Sequence, residues 1–242
     1  MKRGERVAAL IVNYNMPEST DALAEYIAEN VNWPLDVLVI DNGSDLKPPS
    51  KYTALRLDDN VQTTGGWLMG LHYADALALK RGEEYAAYWF LITSAEFVGG
   101  DPLTAMMAEF DDPDVVGVHP CLTQDSTTSW KHLKQAGPTW MIDNIASLYR
   151  AEWFDHMGRW DPLLKYAWGI DLEMSWKARF FGRKLVVSAK AQMKKVTDIG
   201  YRMNRMNMSA SQRERLAGEN MAQVLSERYG ADWWKRMTEE YR

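Results

Sequence analysis

The 242-residue chain has a single cysteine, Cys121. One thiol excludes an intramolecular disulfide and any zinc site made of several cysteines; it fits a reducing compartment, and Cys121 reads as a buried structural thiol. Long apolar runs are missing too, since no segment approaches the roughly 18 uninterrupted apolar residues that span a bilayer. Positive charge is not in excess: 28 Lys and Arg stand against 33 Asp and Glu, a formal net charge of −5. Displacing the counterions of a polynucleotide requires the opposite balance, so nucleic acid is not expected as a partner. No internal repeat or low-complexity tract is visible.

What is present is an ordinary globular composition, 46% hydrophobic and 25% charged, enough for one sizeable core with an appendage. Eleven Trp and eleven Tyr are many for this length; such rings fill cores and also bind flat apolar faces such as those of sugars. The amino-terminal MKRGERVAALIVNYN has the basic start and short apolar run of a signal peptide, but the run stops at Asn13-Tyr14-Asn15 without a small-residue cleavage site. It reads as a first strand. The expected location is cytoplasmic, with peripheral contact at a membrane left open.

Strand-like and helix-like patterns alternate through the first half. Val7 to Val12 is a strand-length apolar run, Glu18 to Asn30 carries apolar residues at helical spacing after Pro17, and Asp36 to Ile40 is again strand-like, closed by the turn residues Asp41-Asn42-Gly43-Ser44. Thr53 to Leu57, Trp67 to Lys80 and Ala87 to Ile92 continue as strand, helix and strand. Such alternation implies an α/β fold, a parallel sheet with helices on its faces, and ligands at the carboxyl ends of the strands. Asn13-Tyr14-Asn15, Asp41 to Ser44 and Thr93-Ser94-Ala95-Glu96 then become neighbours along one edge. Beyond residue 101 the pattern predicts strands at Val115 to Val118, Trp140 to Tyr149 and Val186 to Val196, and an amphipathic helix from Asp171 to Phe181. From Ser209 to Tyr241 the chain is helix-like and charged, broken at Gly230.

Four blocks, Val7 to Asn15, "DVLVIDNGSD" from Asp36 to Asp45, "NVQTTGGWLMGL" from Asn60 to Leu71, and Ile145 to Leu185, give the chain a resemblance to the family 2 nucleotide-sugar glycosyltransferases. The resemblance implies a GT-A, Rossmann-like fold with a mixed, mainly parallel sheet over residues 1–200. Residues 1–100 would bind the nucleotide-sugar and 101–200 the acceptor, with a C-terminal helical tail over 201–242. It implies inverting transfer from a donor, a UDP-sugar by preference, to a glycan or other hydroxyl acceptor.

Beside Val12, Tyr14 would lie against the base, Asp41 would accept from the N3–H of uracil, and Thr93 would reach the ribose. Gly65 and Gly66 would allow close approach of a helix N-terminus to phosphate; the rivals are an Asx-turn at Asp41 and a plain helix start at the glycines. Asp171 is the candidate general base, since an attacking hydroxyl needs one carboxylate within hydrogen-bond reach, and an N-cap role would also select Asp there. Glu173 stands in reserve as an acceptor-side acid, and Trp140, Asp143, Trp160 and Trp168 are candidate acceptor contacts.

One expected motif is missing. Where the resemblance calls for Asp-x-Asp or Asn-Asn-Asp at the end of the fourth strand, this chain has Thr93-Ser94-Ala95-Glu96. Glu96 could serve as a lone protein ligand of Mn²⁺ or Mg²⁺. Alternatively Lys194, Lys195, Arg202 and Arg205, within a stretch from Arg183 to Arg205 that holds seven basic residues and one acidic, would offset the charge of the leaving diphosphate without a metal. A non-catalytic binding module and, less favoured, a nucleotidyltransferase are the remaining readings.

Overall fold

Along the strand Val7–Asn13, Val7, Ala9 and Ile11 face one side while Ala8, Leu10 and Val12 face the other, and apolar cores form on both sides. A strand of this kind must be covered twice. The computed structural model describes residues 2–196 and 209–238 and shows how. In chain order come β1 (Lys2–Arg3), β2 (Val7–Asn13), α1 (Pro17–Asn30), β3 (Leu35–Asp41), β4 (Thr53–Arg56), α2 (Gln62–Arg81), β5 (Glu83–Glu84), β6 (Ala87–Leu91) and β7 (Ala95–Phe97). They are followed by α3 (Pro102–Met107), β8 (Val115–Leu122), β9 (Gly137–Thr139), β10 (Leu148–Arg150), α4 (Ala151–His156), α5 (Ile170–Phe180), β11 (Lys184–Lys195), α6 (Ala210–Tyr229) and α7 (Trp233–Thr238).

The main sheet is mixed and mainly parallel, as expected. β4, β3, β2 and β6 run parallel, β10 lies antiparallel between β6 and β8, and β8 pairs in parallel with β11. β9 and β7 both pair antiparallel with β11. On one face α2 sets Trp67 and Leu71 against Leu10, Ile40 and Phe90; on the other, Leu23 and Ile27 of α1 and Leu103 and Met106 of α3 cover Ile11, Trp89 and Leu91. α2 lies close to the sheet because its inner positions are glycines. A Cβ at Gly66 would come within 2.9 Å of Val12 Cγ1, and one at Gly70 within 2.6 Å of Ile40 Cδ1.

Two strands differ from expectation. The stretch from Trp140 to Tyr149 is strand only from Leu148, because β8 pairs with just Leu148 and Tyr149 and leaves the preceding residues without a ladder on that side. Ser147 and Ile145 still accept from the Phe90 and Ile92 amides, at 2.9 and 3.0 Å, so the irregular segment tracks β6 toward the carboxyl edge. The strand from Ala87 stops at Leu91; the chain turns at Thr93 and Ser94 and crosses the sheet, where Ala95, Glu96 and Phe97 pair with Lys195, Lys194 and Met193. Period-two alternation then buries Ala95 and Phe97 and turns Glu96 outward.

The C-terminal helices start from a capping box, in which Ser209 Oγ accepts from the Gln212 amide and the Gln212 side chain accepts from the Ser209 amide. Gly230 ends α6 with φ 90°. Among the described residues no helix is long and apolar enough to cross a membrane.

The turn after β3 depends on Gly43, which has φ +71° and no room for a Cβ, since one would lie 2.5 Å from the Asp59 carbonyl carbon. Gly43→Ala combines positive-φ strain with a backbone clash and should cost about 1–3 kcal/mol, read as a lowered urea midpoint.

Candidate active site

The carboxyl ends of β2 and β3 are joined by their own polar side chains. Asn13 Nδ2 donates to Asp41 Oδ1 at 2.9 Å, and Ser44 Oγ donates to the same oxygen. Asn15, at φ 56°, uses one side-chain oxygen to accept from the amides of Asp45, Leu46 and Lys47 at 3.1, 2.9 and 3.2 Å. Asn42 continues the seam by donating to the Gln62 carbonyl at 3.0 Å and accepting from the Val61 amide at 3.0 Å. The polar endings of β2 and β3 therefore serve first to satisfy one another.

Beside this seam lies a cavity of about 840 Å³. Val12, Tyr14, Asn42, Thr93, Asp143, Trp168, Asp171 and Lys195 are among the residues that line it. Tyr14 is held by a 3.3 Å hydrogen bond to Asp45, and burial followed by the Asp45 charge pushes its phenol up. Thr93 donates weakly to Met16 Sδ at 3.5 Å.

Several expected residues are not on this wall. Asp41 is fully buried behind the seam, with Arg56 Nε 3.4 Å from Oδ2, an oxygen that accepts no hydrogen bond. Gly65 and Gly66 lie inside the first turns of α2, where Gly66 serves close packing on Val12. The helix start is occupied by protein: the Thr64 amide donates to the Lys165 carbonyl at 3.2 Å, and Thr64 Oγ1 accepts from the Ala167 amide at 3.1 Å. Trp160 is core, and Trp140 is not part of the cavity lining but packs behind Trp130, which is, and against His132. Arg202, like Arg205, lies outside the described residues.

The chemistry concentrates at Asp171. Gly169, at φ 89°, turns the chain into α5, and Asp171 sits in the first turn with Oδ1 accepting from the Leu172 amide at 2.8 Å. The side chain opens to the cavity while protein encloses it on its other sides. Burial, and then the charge of Asp143, push its carboxyl up to about 7. Asp143 is itself raised by burial, with the Lys195 cation working against that rise. Beneath them Tyr149 is fully buried, its phenol raised by burial and then by the charges of Asp171 and Asp143. Two carboxyls, a phenol and an ammonium group thus meet at one end of the cavity.

Glu173 takes a different role. It is 1% exposed and accepts from Tyr229 Oη, with Arg228 at 3.3 Å and Lys177 at 3.4 Å. Arg228 also reaches Asp161, 2.7 Å away and likewise buried. Asn220 of α6 bonds the Leu163 carbonyl and the Lys165 amide at 3.0 and 3.1 Å, and Arg179 donates to the Met237 carbonyl at 2.6 Å. The C-terminal helices are fixed by these contacts, and Arg213, Met221 and Trp234 form part of the cavity wall.

Sequence reasoning missed those residues as well as Asn42, Gln62 and Tyr149. Arg213, Ala217 and Met221 recur every four residues, which is one face of a helix, and that spacing was the available signal.

The donor set at the place of the missing motif does not fit a cation held by Glu96. Glu96 is exposed, lies outside the cavity and stands opposite Lys194. Among the described residues no three of His, Cys, Asp and Glu come together as metal ligands.

The sequence matches no protein-family model. No curated protein matches it either. The fold does have solved counterparts. GalNAc-T7 in complex with UDP, GalNAc and Mn²⁺ superposes with a TM-score of 0.64 at 12% identity, covering 95% of this chain and 49% of that one. The mannosyltransferase PcManGT from Pyrobaculum calidifontis, with GDP-Man and Mn²⁺, gives 0.62 at 13% identity over 97% of this chain and 74% of its own. S. aureus TarS gives 0.56 at 11% identity, over 91% and 44%. The chain spans about half the length of GalNAc-T7 and less than half that of TarS. The fold is thus GT-A-like.

Two tests follow from this geometry. Arg228→Ala leaves two buried carboxylates short of their shared cation and should cost about 3 kcal/mol, seen in chemical denaturation. Because folding raises the Asp171 pKa above its unfolded value near 4, the protonated form is favoured in the fold, and stability should fall as pH rises from about 4 through about 7. Asp171→Asn should remove that slope and melt higher than wild type at pH 8, with no gain at pH 4.

Proposed function

We propose that the protein transfers a glycosyl group from a nucleotide-sugar, preferably UDP-linked, to an acceptor hydroxyl with inversion at the anomeric carbon. The observation that carries this reading is Asp171, a carboxyl tuned to about 7 on the wall of a large cavity at the carboxyl edge of a GT-A-like sheet. In its ionised form Asp171 accepts the acceptor's proton as the oxygen attacks the anomeric carbon. The bond from that carbon to the diphosphate oxygen breaks, and its electron pair leaves with the diphosphate. Asp143 raises the basicity of Asp171, and the Lys195 ammonium lies on the same wall to meet the departing negative charge.

The nucleotide would lie along Val12, Tyr14, Asn42 and Thr93, while Asp41, buried behind them beside Arg56, braces the seam through Asn13 and Ser44. Trp168 faces the acceptor side. The Mn²⁺ in the complexes of GalNAc-T7 and PcManGT keeps a divalent cation within this reading. Glu96 does not line the cavity and would not hold the cation. A cytoplasmic location remains the expectation drawn from the lone thiol. The missing acidic motif favours the second reading, a nucleotide-sugar-binding module without turnover.

A panel of UDP-, GDP- and dTDP-sugars, assayed for transfer and hydrolysis with Mn²⁺ and with chelator, separates these readings. The expected result is turnover with an acid limb near pH 7, since the carboxylate is the active form, and a loss of about 100-fold or more in kcat for Asp171→Asn. Glu96→Gln should stay within about two-fold of wild type, as for an exposed residue outside the site. Thermal stabilisation by UDP without turnover of any donor would establish the binding-module reading instead.

A further inference from the structure

The C-terminal helices do more than brace the fold. Trp168 and Trp234 are 40% and 44% exposed, and both line the cavity; neither indole is a core residue. Trp168 lies against α6, where a Cβ on Gly218 would meet its Cζ3 at 3.9 Å. Gly169, two residues before Asp171, packs so closely on Met221 that a Cβ there would approach Met221 Cγ to 2.8 Å. Next to these apolar surfaces, Glu214 and Arg213 also line the cavity, and Arg213 donates to Thr63 Oγ1 at 3.4 Å across to the start of α2.

We propose that α6 and α7 build a carbohydrate subsite for the acceptor, in which a sugar ring lies against Trp168 and Trp234 and its hydroxyls are met by Glu214. The proposal rests on the transfer reading and adds the acceptor's chemical class and its place. A pyranose presents an apolar C–H face and a polar hydroxyl rim, and this wall offers indole and thioether surface beside a carboxylate. An alkyl chain would require an unbroken apolar wall, and here the charges of Glu214, Arg213 and Asp143 interrupt it. The subsite is preformed. Undocking α6 would strip Arg228 from the buried Asp161 and Glu173, so the helix is a fixed wall and not a lid. It also stands next to the residue that turns the chain into α5, which places a bound ring close to Asp171.

The test uses the full chain and a panel of methyl glycosides, comprising glucoside, galactoside, mannoside and N-acetylglucosaminide, followed by saturation-transfer NMR and tryptophan fluorescence with and without saturating UDP. At least one glycoside should bind and quench fluorescence in the presence of UDP. Trp234→Ala should weaken it by about ten-fold and Glu214→Gln by a smaller factor, with UDP affinity by calorimetry and the melting curve unchanged in both. The subsite is overturned if no glycoside binds, or if both variants bind as wild type does. Glycoside binding without any nucleotide binding or turnover would instead overturn the transfer reading and leave the subsite standing.

Discussion

β2 is bonded on both edges, to β3 through all seven of its residues and to β6 through five, and covered on both faces. A strand in that position has one place to become polar, its carboxyl end, and whatever polar groups it carries there must be satisfied locally. Asn13 and Asn15 meet that demand by bonding across to Asp41, Ser44 and the following amides. The seam fixes the geometry of the turn after β3, that turn fixes Asn42, and Asn42 fixes the start of α2. One side of the cavity is a consequence of satisfying hydrogen bonds at a buried strand end.

The other side depends on charge. Asp171 and Asp143 share an enclosed corner in which both resist ionisation, and Lys195 favours the ionised form of Asp143. In the proposed transfer a carboxyl with an ordinary value would be ionised at neutral pH but a weak base; burial beside a like charge raises its basicity and costs stability. The neighbouring Glu173 shows how much environment matters. It is two residues away on the same helix, yet it holds Tyr229, Arg228 and Lys177 and binds the C-terminal helices in place. Identical chemistry and nearly identical sequence position yield a carboxyl that resists ionisation on a cavity wall in one case and an anchor in the other.

The alternation of apolar runs with turn residues made the strands and helices of the first half legible, because a buried parallel strand and a long helix each leave a strong local pattern. Trp140 to Tyr149 was misread because an apolar stretch does not reveal how many partners its backbone will find. Glu96 looked like the end of β6, but it belongs to a strand on the far side of β11, and only that pairing turns it outward. Gly65 and Gly66 were legible as positions where the backbone needs room. The room is used for packing, by Val61 at Gly65 and by Val12 at Gly66.

By itself the sequence determined the alternating α/β pattern, the polar edge at the carboxyl ends of the strands, and the identity of Asp171 as an acid opening a helix. These rest on local periodicity and residue type. Only the tertiary structure decided that Asp143 and Tyr149 lie beside Asp171, that Glu173 and Asp41 are buried partners within the protein, and that the C-terminal helices wall the cavity. Those facts arise from contacts between distant segments, such as Thr64 with Leu164, 100 residues apart, and Thr63 with Arg213, 150 apart. No local pattern records which distant side chain will share a buried corner and so set its charge.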